Sequence, residues 1–371
     1  MFVKDGTGIL KKVLVLGCTG SIGSNTLNIC RAFPEKFSVC GITCNTQKEK
    51  LSKLGKEFDC KISLTSEDGV DGIKKIIDEA KPDIVVNGIA GSAGLLPSKI
   101  VLDSGIDLAL ANKETVVMAW PLIKALASKR NAKIIPVDSE HSAVFNLINQ
   151  IGKENISQIV ITASGGPFRT LEKEKLSKVT VKDALKHPTW SMGTKITIDS
   201  ASLANKGLEV IEANRLFDFP VEKVQVVVHP QSLVHSLVRT NDGMLYAQIS
   251  DPDMKHPIYS ALTFPKNEEN YLEPFDLFDH EMTFFKPRYE DFPMLKYAFT
   301  AAQKNGSYTI AYNAANEVAV AGFISGKIRF TEIPEVVLKV LEKDWSKTPD
   351  TFDDVFEMDK KARIVAEEIL K

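Results

Sequence analysis

KVLVLGCTGSIG, residues 12–23, is a short apolar, β-branched run that ends at once in a glycine-spaced turn. A helical pattern, Asn25 to Phe33, follows directly. A strand feeding a glycine turn and a helix is the dinucleotide-binding layout. Glycine lets the backbone approach the pyrophosphate, and the helix N-terminus supplies N–H groups. Gly17, Gly20 and Gly23 make the spacing GxxGxxG rather than GxGxxG. The bare motif would also describe a tight strand–helix turn with no ligand; its place at the head of a βαβ series favours the nucleotide.

The series continues outward from it. Phe37 to Thr43 reads as the second strand. In NAD enzymes an acidic residue commonly ends this strand and binds the ribose 2′-hydroxyl. Here Thr43 is followed by Cys44, Asn45, Thr46, Gln47 and Lys48, with no acid among them. A neutral, amide-rich end with a lysine suits a 2′-phosphate, so NADPH is the expected cofactor, with Asn45, Thr46 and Gln47 facing it. Cys60 to Leu64 is a strand, Asp71 to Ala80 a helix and Ile84 to Asn87 a strand. Gly88 to Gly94, which includes Ala90, is a second glycine-rich loop before the helix Leu95 to Asp103, on the ligand edge of a parallel sheet. The strand Asp107 to Ala111 delivers Asn112, Lys113 and Glu114. A lysine there can reach cofactor and substrate together, although most lysines taken singly lie at the surface.

Lys133 to Val137 closes the sheet and delivers Asp138, Ser139, Glu140 and His141. In extended backbone Asp138 and Glu140 face the same side. Two converging carboxylates repel unless protonated or bridged by a cation, while in a loop they would merely be solvated. Glu209, with the same oxygen chemistry, would complete a site for Mg²⁺ or Mn²⁺. It closes the stretch HPTWSMGTKITIDSASLANKGLE, residues 187–209. In that stretch His187 and Pro188 lead to Trp190 and Met192 beside Gly193, a large apolar lid next to a flexible hinge. Lys195 to Ile198 alternates as a strand would, and Asp199 to Ser202 is a run of N-cap residue types before a helical pattern. Asn205, Lys206 and Glu209 share one face of that helix. With Ser200 they suit an oxyanion or phosphate cradle. The plainer alternatives are an N-cap serine, a solvated Lys206–Glu209 pair and ordinary core for Trp190 and Met192. Glu212, one turn beyond Glu209, is expected to be dispensable.

Ile156 to Thr162 is a strand leading to Ala163-Ser164-Gly165-Gly166, a second oxyanion candidate or a simple turn. Val224 to Val228 is strand-like and precedes His229 and His235, and Leu237 to Thr240 pairs with Met244 to Ser250 as a hairpin. Residues 267–293 show no period and read as a linker over other domains. Four helices follow, Pro293 to Lys304, Thr309 to Phe323, Glu332 to Glu342 and Phe352 to Leu370.

The chain has 371 residues, 44% hydrophobic and 25% charged, which is ordinary for a soluble protein of two or three domains. A formal net charge of −2 without a basic block argues against a nucleic-acid partner and for a small molecule. No apolar run approaches the ~20 residues of a membrane span. The 5 cysteines lie at or before Cys60 without a metal spacing, as in a reduced cytoplasmic protein. Cys40 and Cys44 read as strand packing rather than a metal pair.

GCTGSIG, GSAGLLP, LANKET, PVDSEH, ASGGPF, HPTWSMG, IDSASLANKGLE, HPQSLVHS and NAANEVAVAGF occur in that order along nearly the whole chain. Together they resemble the 1-deoxy-D-xylulose 5-phosphate reductoisomerases of the non-mevalonate isoprenoid pathway. The resemblance implies an NADPH- and metal-dependent enzyme that makes 2-C-methyl-D-erythritol 4-phosphate, with Mg²⁺ or Mn²⁺ (or Co²⁺), acting as a cytoplasmic homodimer on a sugar phosphate. It implies Asp138, Glu140 and Glu209 as metal ligands; Ser164, Ser200, Asn205 and Lys206 around the substrate phosphate; and Ser139 at the substrate oxygens. It makes residues 187–194 a mobile flap, with His187 reaching the phosphate and Trp190 and Met192 over the substrate. His235 is the second site histidine, and Lys113 lies near substrate and nicotinamide, with Asn112, Glu114 and Gly193 on the cofactor side. Thr19, Gly20, Ser21 and Ile22 would hold the pyrophosphate, together with Gly17, Gly23, Gly88 and Ala90 in the glycine loops. The chain departs from the family at Asn45-Thr46-Gln47, where Gly-Lys-Asn or similar is usual. The expected architecture is α/β: a Rossmann-like parallel sheet (1–137), a central α+β catalytic domain (138–266), a linker (267–292) and a C-terminal helical bundle (293–371). The rival readings are a metal-free NADP-dependent dehydrogenase of a semialdehyde or sugar phosphate, and a nucleotide sensor without catalysis.

Overall fold

Val13, Leu14, Val15 and Leu16 are all fully buried, as a strand covered on both faces requires. The computed structural model describes residues 10–371, so residues 1–9 of the expected nucleotide-binding domain lie outside it. The chain runs β1 (Lys11–Leu16), α1 (Ser21–Ala32), β2 (Phe37–Cys44), α2 (Lys48–Glu57), β3 (Lys61–Leu64), α3 (Thr65–Ala80), β4 (Ile84–Asn87), α4 (Leu95–Asp103), β5 (Asp107–Leu110), α5 (Lys113–Arg130) and β6 (Ile134–Pro136). Next come α6 (Ser139–Ile151), β7 (Ile156–Ala163), α7 (Val181–Ala184), α8 (Thr194–Ala201), α9 (Ala204–Leu216), β8 (Val224–Val228), β9 (Val234–Thr240), β10 (Leu245–Ile249) and α10 (Lys255–Thr263). The described chain closes with α11 (Met294–Lys304), α12 (Tyr308–Ile324), α13 (Ile333–Leu341) and α14 (Phe352–Ile369).

Two compact units emerge. The first is Met1–Ala111, described from residue 10, with Ala125–Val137 and Met254–Leu272. Its described strands form a parallel sheet ordered β3-β2-β1-β4-β5-β6. Strand order reverses between β1 and β4, so the loops after both strands flank the switch point where ligands of such sheets bind. The expected Rossmann-like sheet is this one.

The second unit is Asn112–Lys124, Asp138–Asp253 and Glu273–Lys371. It holds a mixed sheet ordered β10-β9-β7-β8, with β7 parallel to β8 and antiparallel to β9. The four helices α11 to α14 share one apolar core with α9 and this sheet, through residues such as Leu208, Tyr312, Ile161 and Val337. A Cβ on Gly207 would stand 2.5 Å from the Tyr312 hydroxyl, so glycine lets α9 close on α12. Tyr312 in turn donates to the Met294 carbonyl at 3.2 Å, which ties α12 to α11. Residues 267–292 carry no helix or named strand, and Phe285 pairs with Val228 in an isolated antiparallel bridge.

Three local readings are corrected. Lys195 to Ile198, expected as a strand, lies in the first turns of α8. Its buried positions Thr197, Ile198 and Ala201 have helical spacing, and the Thr197 hydroxyl bonds back to the Gly193 carbonyl at 2.8 Å. Four β-branched or long residues fit either period, and packing chose the helix. Asp199 to Ala201 therefore finish a helix rather than start one, and α9 begins after Leu203, which takes φ 61°. Asp138 and Glu140 are not in extended backbone: Asp138 caps α6 by accepting from the Glu140 N–H, and Glu140 sits in the first turn.

Candidate active site

Glycine is obligatory at the turn after β1. Gly17 has φ +78°, and a Cβ on Gly23 would lie 2.3 Å from the Gly17 carbonyl oxygen. That tight crossing places Gly20 at the N-cap of α1 without a side-chain cap, so the first N–H groups of the helix stay open beside exposed Ser21. Thr19, Gly20, Ser21 and Ile22 thus form the kind of cradle that takes a pyrophosphate. Gly88 packs behind Ile22, with Ala90 exposed beyond it. At the end of β2, Asn45, Thr46 and Gln47 are all exposed. Lys48 pairs with Glu67 at 2.9 Å, whereas Lys50 reaches the Thr19 carbonyl at 3.3 Å and so stands beside the glycine turn.

The carboxylates meet in the second unit. Asp138, Glu140 and Glu209 offer oxygens that all lie within 4.8 Å of one another. Lys113 bonds Asp138 and lies 3.2 Å from Glu209; Lys206 lies 2.6 Å from Glu140 and also bonds Glu209. Two ammonium groups therefore hold three carboxylates together. Burial pushes Glu140 up, but Lys206 and Lys113 outweigh it and hold its carboxyl down at about 2. Burial likewise pulls on the Lys206 ammonium, and Glu140 with Glu209 more than reverses that, leaving it above its ordinary range. The Ser139 hydroxyl donates to Glu140 at 2.5 Å, and the Asn205 amide donates to Glu209 at 2.6 Å. The Asn205 carbonyl oxygen is buried without a hydrogen-bond partner. An all-oxygen, net-negative donor set with an orphaned amide oxygen beside it fits a hard divalent cation.

His141 and Glu212 lie directly behind. The His141 Nε2 donates to the Glu209 carbonyl at 3.0 Å, and its Nδ1 lies 3.3 Å from Glu212 and 3.6 Å from Asp138. Asp138, His141 and Glu212 also bring ligand atoms within 4.8 Å. His141 and Glu212 are 0% and 1% exposed, so that set leaves no open position for a substrate oxygen. It packs behind the Asp138–Glu140–Glu209 set, a placement that speaks for a supporting role of Glu212 rather than for the expected dispensability. Burial raises the Glu212 carboxyl, against the pull of His141 and Lys113.

A second cluster joins Ser164, His187 and Ser200. The His187 Nε2 lies 3.0 Å from the Ser164 hydroxyl and 3.1 Å from the Ser200 hydroxyl. Its Nδ1 accepts from the Trp190 and Thr189 N–H groups at 2.9 and 3.2 Å, so Nε2 carries the proton and points at the two hydroxyls. Burial lowers this imidazole to about 4. Three groups able to donate, gathered within hydrogen-bond reach of the one imidazole nitrogen, suit a phosphate. Trp190 leans on His235 at a ring distance of 6.3 Å, and His235 is fixed by the Ser250 hydroxyl at 2.8 Å. Met192 is half-buried and Gly193 exposed.

Some expected contacts are spent elsewhere. The Asn112 side chain caps α5 by accepting from the Thr115 N–H at 2.9 Å and donates to Glu114 at 3.0 Å. Glu114 also faces the Lys195 ammonium at 3.3 Å. Lys206, expected at the substrate phosphate, pairs with Glu140 and Glu209.

Sequence comparison decides the family. A family model described as 1-deoxy-D-xylulose 5-phosphate reductoisomerase matches residues 13–68 and 60–120; models of its C-terminal domains match residues 134–217 and 249–365. The chain is 50% identical to the 1-deoxy-D-xylulose 5-phosphate reductoisomerase of Treponema denticola, over 96% of both chains. This chain belongs to the 1-deoxy-D-xylulose 5-phosphate reductoisomerase family. It is 47% identical to the reductoisomerase of Treponema pallidum over 96% of each chain. Among solved structures it is similar to the Zymomonas mobilis reductoisomerase in complex with NADPH, with a TM-score of 0.88 and 37% identity over 98% of this chain and 100% of the other. It is also similar to a reductoisomerase in complex with NADPH, fosmidomycin and magnesium, with a TM-score of 0.87 and 35% identity over 97% and 98%.

Within this reductoisomerase fold, the places of Lys50 beside the glycine turn, Lys195 beside Glu114, and His141 and Glu212 behind the carboxylates escaped the sequence reading. Lys50 sits on α2 among Lys48, Lys53 and Lys56, so only the folded helix distinguishes it. His141 and Glu212 meet the carboxylates through contacts across the fold, and linear spacing does not report that.

Proposed function

We propose that this chain converts 1-deoxy-D-xylulose 5-phosphate to 2-C-methyl-D-erythritol 4-phosphate, using NADPH and a divalent cation. The observation that carries the reading is the meeting of Asp138, Glu140 and Glu209 under Lys113 and Lys206, in a chain of this family. When bound, the cation supplies Lewis-acid polarisation of adjacent substrate oxygens and NADPH supplies the hydride.

The chain's own residues do the rest. Asp138, Glu140 and Glu209 would hold the cation, and Glu140 is already ionised for the task. His141 keeps Glu209 in place through its backbone carbonyl. The hydroxyls of Ser164 and Ser200 and the Nε2–H of His187 would turn from one another to the substrate phosphate. With Asp138, Glu140 and Glu209 engaged as ligands, Lys206 would turn to join the phosphate-facing donors and Lys113 would face the reacting oxygens. Trp190 and Met192 would cover the substrate and exclude water, which strengthens each of these interactions. The site takes a small sugar phosphate; among the described residues no helix is long and apolar enough to cross a membrane. The reading includes a cytoplasmic homodimer, for which light scattering of the purified protein is the test.

Metal removal tests the central claim. Treatment with EDTA should abolish NADPH oxidation with 1-deoxy-D-xylulose 5-phosphate, and Mn²⁺ or Mg²⁺ should restore it. Turnover unaffected by EDTA would instead favour a metal-free dehydrogenase.

A further inference from the structure

We propose that Lys195 is a positioning residue that locks the exit of the lid to the turn carrying Lys113, so that lid closure and the catalytic ammonium move as one. The inference rests on reading residues 187–193 as a lid over the substrate.

Lys195 stands two residues after Gly193, in the first turn of α8. Gly193 is exposed, and a Cβ built there would have nothing within 4 Å, while its carbonyl accepts from the Thr197 N–H at 3.1 Å and the Thr197 hydroxyl at 2.8 Å. The lid therefore ends where α8 takes hold, and the side chains of the first turn tie it further. The Lys195 ammonium lies 2.9 Å from an Asp199 oxygen and 3.3 Å from Glu114, whose side chains are 2% and 9% exposed. The other Asp199 oxygen accepts from the Asn316 amide of α12 at 2.8 Å, and Glu317 on the same helix adds to the field at Lys195. Glu114 also accepts from Asn112, so its carboxylate is held from both ends.

Each partner of Lys195 neighbours a residue of the site. Glu114 follows Lys113, which bonds Asp138 and Glu209. Asp199 precedes Ser200, which meets His187 of the lid. One ammonium thus joins the lid exit, a phosphate-facing hydroxyl and the lysine on the carboxylates. Buried ion pairs are weak contributors to stability, because desolvation offsets the attraction, and their best-attested use is to specify one arrangement among several. The junction between the proposed lid and the first turn of α8 is where such specification would matter.

The test uses the complete enzyme with NADPH, Mn²⁺ and 1-deoxy-D-xylulose 5-phosphate. In Lys195→Met, KM for the sugar phosphate should rise and kcat fall, each on the order of tenfold, as expected when reacting groups are slightly misplaced. The KM for NADPH and the Tm should stay near wild type, and Lys195→Arg should recover most of the loss. The tryptophan fluorescence change on adding substrate, assigned to Trp190 by its absence in Trp190→Phe, should shrink in Lys195→Met. If Lys195→Met does not fold, Lys195→Gln, which keeps a donor for Asp199 without the charge, is read in the same way. Wild-type kinetics in either variant overturn the proposal, as does a loss that follows Tm and is not recovered by arginine. A wild-type enzyme that turns over without any Trp190 response refutes the lid reading, and the proposal with it; a normal response in Lys195→Met refutes the coupling alone.

Discussion

Glu209 and Glu212 differ by one helical turn and by what each faces. Glu209 points its oxygens at Lys113, Lys206 and the other two carboxylates, while Glu212 faces His141. Glu209→Gln removes a ligand charge and should lower kcat by roughly a hundredfold or more, with little change in NADPH affinity. Glu212→Gln should weaken Mn²⁺ by roughly tenfold to a hundredfold, the usual range for a residue that orients a ligand. Titrating activity with Mn²⁺ separates them, and a Glu212→Gln enzyme with wild-type Mn²⁺ dependence would remove its supporting role. His187 makes a prediction of another kind. Burial depresses its imidazole from 6.5 to about 4, so the unfolded chain takes up the proton first as pH falls. Its contribution to stability is complete above about 6.5 and is lost on the way down to about 4. Across that window Tm should fall more steeply in wild type than in His187→Gln; parallel curves would mean that the imidazole is not held neutral.

At the scale of elements, α5 and α9 position the lysines and carboxylates, and α5 is broken where it matters. Pro121 has no N–H to offer the Val117 carbonyl one turn back, and Ala119 leaves helical geometry with φ −136°. Arg215 of α9 fills the gap, donating to the Val116 and Val117 carbonyls at 2.8 and 2.5 Å and to Thr309 at 2.7 Å. Arg215→Met keeps the apolar stem but leaves the Val116 carbonyl without that donor, while Val117 retains the Thr309 hydroxyl at 2.8 Å. The expected cost is roughly 1–3 kcal/mol, as for a buried acceptor that loses its donor. Denaturant unfolding measures it, and an unchanged midpoint would show that the break needs no such support. The same scale explains the error over α8. Its four opening residues satisfy both periods, and only burial of Thr197 and Ile198 with the Lys195–Asp199 pair tells them apart.

For the whole molecule, a strand end without an acid, with Lys50 beside the glycine turn, is the expected basis of cofactor choice. NADPH should exceed NADH in kcat/KM by at least about tenfold, the worth of one charge-assisted hydrogen bond; equal values would contradict the assignment. The parallel sheet, its two glycine loops and the four C-terminal helices were legible because they rest on short-range causes. Runs such as KVLVL at residues 12–16 have one good burial mode, and the Gly17–Gly23 crossing admits no Cβ. The candidate ligands were legible as residue types in motifs, Asp138, Glu140 and Glu209 among them. What they touch was not. Lys113, Asp138 and Glu209 come from three separate segments, and the pairing of Lys206 with carboxylates rather than an anion depends on which charges packing encloses together. The sequence by itself determined the sheet, its turns and the chemistry on offer, because sterics and periodicity act over a few residues. Only the tertiary structure decided that Lys113 and Lys206 bridge the carboxylates and that His141 and Glu212 lie behind them, because burial and charge pairing act between residues far apart in the chain.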